Sequence, residues 1–146
     1  MLKAVGLLID NAYFYAALIV ALVLLGENRN DRRLRILATL VVVIVLGAAI
    51  KETLAHPRPC AGESGCPADY SFPSLHASAA FALMIAFLNR KAYPLYLLFA
   101  LFISFTRLNT GVHVFADIAG GLAVALVGYY AVDLVWRSGG RDVHGA

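Results

Sequence analysis

Long apolar runs separated by short polar breaks set the pattern of this chain. They predict helices over about 5–25, 33–55, 73–90, 92–108 and 112–136. Gly26 ends the first run, Pro57 and Pro59 break the second, and Pro73 suits the first turn of the third. Several runs approach the ~20 residues that a helix needs to span a bilayer. Asp10 and Asn11 interrupt the first run, and no small-residue cleavage site follows before "GENRNDRR". That run is therefore read as a retained helix rather than a signal peptide. The expected fold is all-α: an integral membrane helical bundle of about five transmembrane helices, forming one domain over 1–146.

Composition sharpens this picture. Hydrophobic residues make up 61% and charged residues 14% of the chain, against ~45–50% and ~25% in soluble domains. A water-soluble globule is excluded on these figures. The net charge of +3 is small, and its distribution says more. Arg29, Arg32, Arg33, Arg35, Arg90, Lys91, Arg137 and Arg141 fall in one set of loops; Lys3, Lys51, Arg58 and Arg107 fall on the opposite side. The richer set points to the cytoplasm. That choice puts the N-terminus and loop 56–72 outside and the C-terminus inside. Tyr93, Tyr96, Tyr129, Tyr130 and Trp136 then fall near the inner interface, as an aromatic belt would.

Three outer cations sit at helix ends and share that face with His56, His76 and His113. A charge facing lipid at mid-bilayer costs about 2.5–3.5 kcal/mol, and turning these groups toward one another avoids the cost. Lys51, Arg58, His76, Arg107, His113 and Asp117 are thus expected to line one polar pocket at the outer helix ends.

The chemistry of that pocket follows from its residue types. Three cations in one cleft require an anion, and phosphate suits the guanidinium fork and the ammonium point charge. In "FPSLHAS", the amides of Ser74, Leu75 and His76 lie unpaired at a helix N-terminus, a natural phosphate cradle. His76 is placed to protonate a leaving oxygen. His113 and Asp117 are one helical turn apart. Asp117 accepts from one ring nitrogen and leaves the other as a nucleophile. Covalent phosphoryl transfer results: His113 attacks, the cations neutralise the phosphoryl oxygens, and His76 serves as acid and then base. No carboxylate cluster suggests Mg²⁺, and no cofactor is expected. His56, Asp10 and Asn11 are weaker candidates, with Asp10 and Asn11 read as interfacial. His144 lies in a tail. Ala116, Gly120, Gly121 and Ala125 are read as a small-residue series for tight helix packing. Cys60 and Cys66, in "PCAGESGCP", either close a short disulfide on an oxidising face or remain thiols.

Three stretches in order, "KETLAHPRP" from Lys51 to Pro59, "PSLH" from Pro73 to His76, and "TRLNTGVHVFAD" from Thr106 to Asp117, resemble the motifs of the type 2 phosphatidic acid phosphatase (PAP2) superfamily. The resemblance covers 51–117. It implies a metal-independent, vanadate-sensitive lipid phosphatase. Lys51, Arg58, Ser74 and Arg107 would bind phosphate, His76 would be acid/base, His113 nucleophile and Asp117 its orienter. Leu75 stands where the family has Gly, and its side chain is expected to crowd the phosphate approach. Thr106 replaces a family Ser and keeps the hydroxyl. Family members in membranes commonly have six spans, against five here.

The implied partners are a bilayer and a lipid phosphate, with no nucleic acid. Prenyl diphosphates, phosphatidate and phosphatidylglycerophosphate are the candidate substrates. The alternative reading is a non-catalytic membrane protein that binds phospholipid through the same pocket.

Overall fold

Five helices can be delimited in the computed structural model, which describes residue 6 and residues 9–139. They are α1 (Ala12–Gly26), α2 (Asn30–Leu54), α3 (Leu75–Ala86), α4 (Tyr93–Asn109) and α5 (Phe115–Ser138). No strand occurs among the described residues. Lys3, Arg141 and His144 lie outside them.

Local chemistry explains the helix ends. The Asn11 side chain accepts from the amides of Tyr13 and Phe14 and caps α1. α2 ends at Ala55, whose φ of 47° is left-handed, and Pro57 follows. Arg58 therefore belongs to the loop, not to the helix carrying Lys51. Ser74 caps α3, preceded by a cis Phe72–Pro73 peptide. At α5 the Asp117 carboxylate reaches back to the Val114 amide at 2.9 Å, which starts the helix at Phe115. His113 consequently sits just ahead of α5, where the sequence pattern put it inside the helix.

The short α3 is the hub, packed against α2, α4 and α5. Its central residues, Ala77 to Leu83, are all buried, and the small ones among them, Ala77 to Ala80 and Ala82, let neighbours close in. Gly121 of α5 shows how near they come: a Cβ there would lie 3.0 Å from the Ser74 carbonyl oxygen and 3.1 Å from the Ser78 nitrogen. A Cβ on Gly128 would lie 2.5 Å from a Val43 methyl, so α5 also closes on α2.

The outward faces stay apolar: Val41, Val45, Leu98, Leu101, Val127 and Val135 are exposed. α2 and α5 are long and apolar enough to cross a membrane. At one end of the bundle the buried Glu27 carboxylate pairs with Arg32 and Arg90, and Asp133 pairs with Arg35 and Arg137. Tyr96 does not join an interfacial belt. It is buried, stacks on Phe87 at 3.9 Å and donates to the Leu22 carbonyl. Gly26 leaves the room its hydroxyl needs, since a Cβ there would lie 1.8 Å from it.

Candidate active site

Lys51 and Arg35 bracket about 24 Å of α2 at 1.5 Å per residue. The candidate residues therefore gather at the end of the bundle away from the Glu27 cluster. Direct contacts divide them into two groups.

The first group is a continuous polar chain. His113 Nδ1 lies 3.1 Å from Asp117 Oδ2, and both side chains are almost fully buried. Arg58 Nη1 lies 3.2 Å from His113 Nε2 and donates to the Val112 carbonyl at 3.0 Å. A guanidinium can only donate, so Nε2 is the acceptor and Nδ1 carries the proton toward Asp117. Ser71, fully buried in the loop, donates to the same Asp117 oxygen. Its amide is held by the His56 carbonyl at 2.8 Å. His56 contributes through that backbone oxygen, while the Nδ1 of its exposed ring lies 3.2 Å from the Pro57 carbonyl oxygen.

Beyond Arg58 the chain continues through a carboxylate. Asp69 accepts from Arg58 Nη2 at 2.7 Å and from Lys51 Nζ at 2.8 Å. Lys51 also donates to the Tyr70 carbonyl at 2.6 Å. Burial by itself would raise the Asp69 carboxyl. The hydrogen bonds and charges of Lys51 and Arg58 outweigh it and hold Asp69 below the usual carboxylate range. The His113 imidazole is lowered to about 4, first by burial and then by the Arg58 charge, with Asp117 opposing. It is neutral at physiological pH.

The second group surrounds His76 and Arg107. Arg107 is 1% exposed and pairs with Asp10. Its Nε and Nη2 are buried with no hydrogen-bond partner among the described residues. His76 Nε2 lies 3.0 Å from the Ile9 carbonyl oxygen, which can only accept, so Nε2 carries a proton. The Tyr15 ring packs on His76 at 4.6 Å, and its hydroxyl donates to the His76 carbonyl. The structure brings no direct contact between His76 and His113. The groups are tied together through the backbone, where the Ser74 amide donates to the Asp117 carbonyl at 3.1 Å. The Ser74 hydroxyl accepts from Ala77 N at 3.5 Å.

Three expectations change. The Ser74 amide is not an unpaired donor of a phosphate cradle, because the Asp117 carbonyl accepts from it at 3.1 Å. Leu75 does not crowd a phosphate approach: its side chain turns to α2, where a Cβ on Gly47 would lie 2.6 Å from it. It lines an apolar groove of about 520 Å³ between α1, α2 and α3 that also has His76 in its wall. Asp10 is not merely interfacial, because a buried guanidinium claims it. Asp69, Ser71 and Tyr15 escaped notice in the sequence, where none shares a short-range spacing with its partner. Cys60 and Cys66 are joined as a disulfide in the loop between Arg58 and Asp69.

Comparison with known proteins gives the family and the fold. A family model described as the PAP2 superfamily matches residues 32–139. The chain is 33% identical over 108 residues to sphingosine-1-phosphate phosphatase 2 of Mus musculus, covering 64% of this chain and 30% of that protein. It is 32% identical over 122 residues to undecaprenyl-diphosphatase BcrC of Bacillus subtilis (strain 168), covering 77% and 63%. The chain thus spans less than two thirds of the length of either relative. A crystal structure of a transmembrane PAP2 type phosphatidylglycerolphosphate phosphatase from Bacillus subtilis has the same fold. Its TM-score is 0.67 at 20% identity, covering 94% of this chain and 74% of that one.

Proposed function

Because the chain belongs to the PAP2 superfamily, we propose that it is a membrane-embedded, metal-independent phosphatase of lipid phosphates, acting through a phosphohistidine. The observation that carries this reading is the neutral His113 imidazole held between a carboxylate and a guanidinium.

The reaction proceeds in two steps. His113 Nε2 forms a bond to phosphorus as the bond to the lipid oxygen breaks. The Nδ1 proton stays shared with Asp117, which stabilises the developing positive charge on the ring. Lys51, Arg58 and Arg107 neutralise the phosphoryl oxygens; the unpaired Nε and Nη2 of Arg107 are donors in want of such an acceptor. For this step His76 carries a second proton: as an imidazolium it gives one to the lipid oxygen and keeps the Nε2 proton on the Ile9 carbonyl. Water, deprotonated by His76, then attacks phosphorus, and His113 leaves.

The substrate class follows from the surroundings. The groove that His76 helps to line is almost entirely apolar and suits the hydrocarbon of a leaving lipid alcohol or lipid phosphate. Prenyl diphosphates, phosphatidate and phosphatidylglycerophosphate remain the candidates. The Arg-rich end of the bundle is assigned to the cytoplasm, with the C-terminus. The site then opens on the extracytoplasmic side of the plasma membrane.

Phosphate release from a panel of these lipids, comparing wild type with His113→Ala in detergent micelles, tests the reading. Release is expected from the wild type and to be lost in the variant. Equal release by both would refute the nucleophile assignment. EDTA is expected to leave the rate unchanged, and strong inhibition would refute the metal-free mechanism.

A further inference from the structure

The cations assigned to phosphate already hold an anion from the chain itself. Asp69 Oδ1 accepts from Arg58 Nη2 at 2.7 Å and Nε at 3.2 Å, while Oδ2 accepts from Lys51 at 2.8 Å. Its two oxygens thus bridge a guanidinium and an ammonium, as two oxygens of a phosphoryl group would.

The partners differ sharply in exposure. The side chains of Lys51 and Arg58 are 5% and 7% exposed, that of Asp69 47%. The cations are fixed in the protein and the carboxylate stands at the solvent side. Backbone contacts secure the loop independently of that carboxylate. Arg58 Nε reaches the Asp69 carbonyl at 3.1 Å, and Lys51 reaches the Tyr70 carbonyl at 2.6 Å. The disulfide and the Ser71 amide hold the loop on either side. The Asp69 side chain can therefore turn away by rotation about its own bonds while the loop stays in place.

A buried cation left without an anion is costly. Two anions on the same pair of cations repel each other across a few ångströms. Either the carboxylate or a phosphate satisfies Lys51 and Arg58, and one displaces the other.

Resting on the phosphatase reading above, we propose that Asp69 is an affinity-setting residue. Its carboxylate is an internal competitor that an incoming phosphoryl group displaces from Lys51 and Arg58. Net affinity for phosphate is then a difference between two anions. The competitor also helps inorganic phosphate, the product, to leave. Arg107 behaves differently, because its Nε and Nη2 have no partner among the described residues and can take an oxygen without displacing Asp10.

Calorimetric titration of the full chain in micelles with inorganic phosphate tests this. Asp69→Asn keeps the shape and removes the charge. It is expected to bind phosphate roughly tenfold more tightly than wild type and to show a lower KM for lipid substrate. Unchanged or weaker binding by a folded variant would overturn the proposal and make Asp69 a fixed clamp. A second measurement needs no variant. Carbodiimide labelling of wild-type Asp69 is read by peptide mass spectrometry relative to the exposed Asp31. Phosphate is expected to accelerate it, and protection would overturn displacement. If lipids are hydrolysed normally but neither effect appears, this inference alone fails. If wild type neither hydrolyses any lipid phosphate nor binds phosphate, the phosphatase reading fails and takes the inference with it.

Discussion

Arg58 Nη1 stands 3.2 Å from His113 Nε2, on the lone pair assigned to attack phosphorus. That contact sets the tautomer, because a guanidinium cannot accept, and it keeps a second proton off the ring. The guanidinium thus covers the ring nitrogen proposed as the nucleophile. On the proposed mechanism, phosphate oxygens are better acceptors for Arg58 than the imidazole, and the lone pair is released to phosphorus.

A pH profile reads this directly. His113 is lowered to about 4, chiefly by burial and then by Arg58. The imidazole is therefore neutral at pH values well below the usual ~6.5. Removing the positive charge in Arg58→Gln raises the pKa, so the acid limb of kcat/KM moves to higher pH. Substrate ionisation is common to both enzymes and cancels when the two profiles are compared on one lipid. Coincident acid limbs would show that Arg58 does not act on His113.

Asp117 orients the ring and, through Ser71, is itself oriented. Asp117→Asn can donate to the ring and so favours the wrong tautomer. Turnover is expected to fall on the order of 10³–10⁴-fold, the loss seen when an orienting carboxylate is neutralised. Single-turnover phosphate release measures it, with inorganic phosphate binding as the control for an intact cation cluster.

Gly121 sets how closely α5 approaches the N-terminus of α3. In Gly121→Val, the Cβ alone meets Ser74 O at 3.0 Å and Ala77 Cβ at 3.2 Å, and backbone cannot step aside as a side chain tip would. The expected loss is about 1–3 kcal/mol, read as a lower melting temperature in detergent. Activity falls with it, since Ser74 and His76 ride on the displaced helix end. Gly139→Ala, whose nearest neighbour would be an ordinary 3.5 Å away, serves as the control.

Leu75 is a wall of the apolar groove. Leu75→Gly is expected to keep turnover on short-tailed phosphates, because the backbone amide proposed to bind phosphate remains. KM for long-tailed substrates should rise roughly tenfold, the scale of one or two lost methylene contacts. An equal effect on short and long tails would locate the side chain's influence at the headgroup instead.

Much of this site was legible before any coordinates. The apolar runs announce helices because a bilayer demands a minimum apolar length, and the breaks at Gly26 and Pro57 are local chemistry. His113 and Asp117 are four apart, so their contact depends on backbone geometry that the sequence itself implies, although His113 turned out to precede the helix. The motif spacings from Lys51 to Asp117 made a phosphate pocket the natural expectation.

What escaped was every partner chosen by packing. Asp69 finds Lys51 across 18 residues, Ser71 finds Asp117 across 46, and Asp10 finds Arg107 across 97. Nothing periodic links such positions. Their meeting depends on how α3 seats between α2 and α5 and on where the disulfide-bearing loop folds back. From the chain alone came the helices, the oily exterior and the inventory of cations and imidazoles, because those follow from local geometry and from the solvent. Only the three-dimensional packing chose which acid answers each base and which way Leu75 faces, because charge pairing acts through space and ignores chain distance.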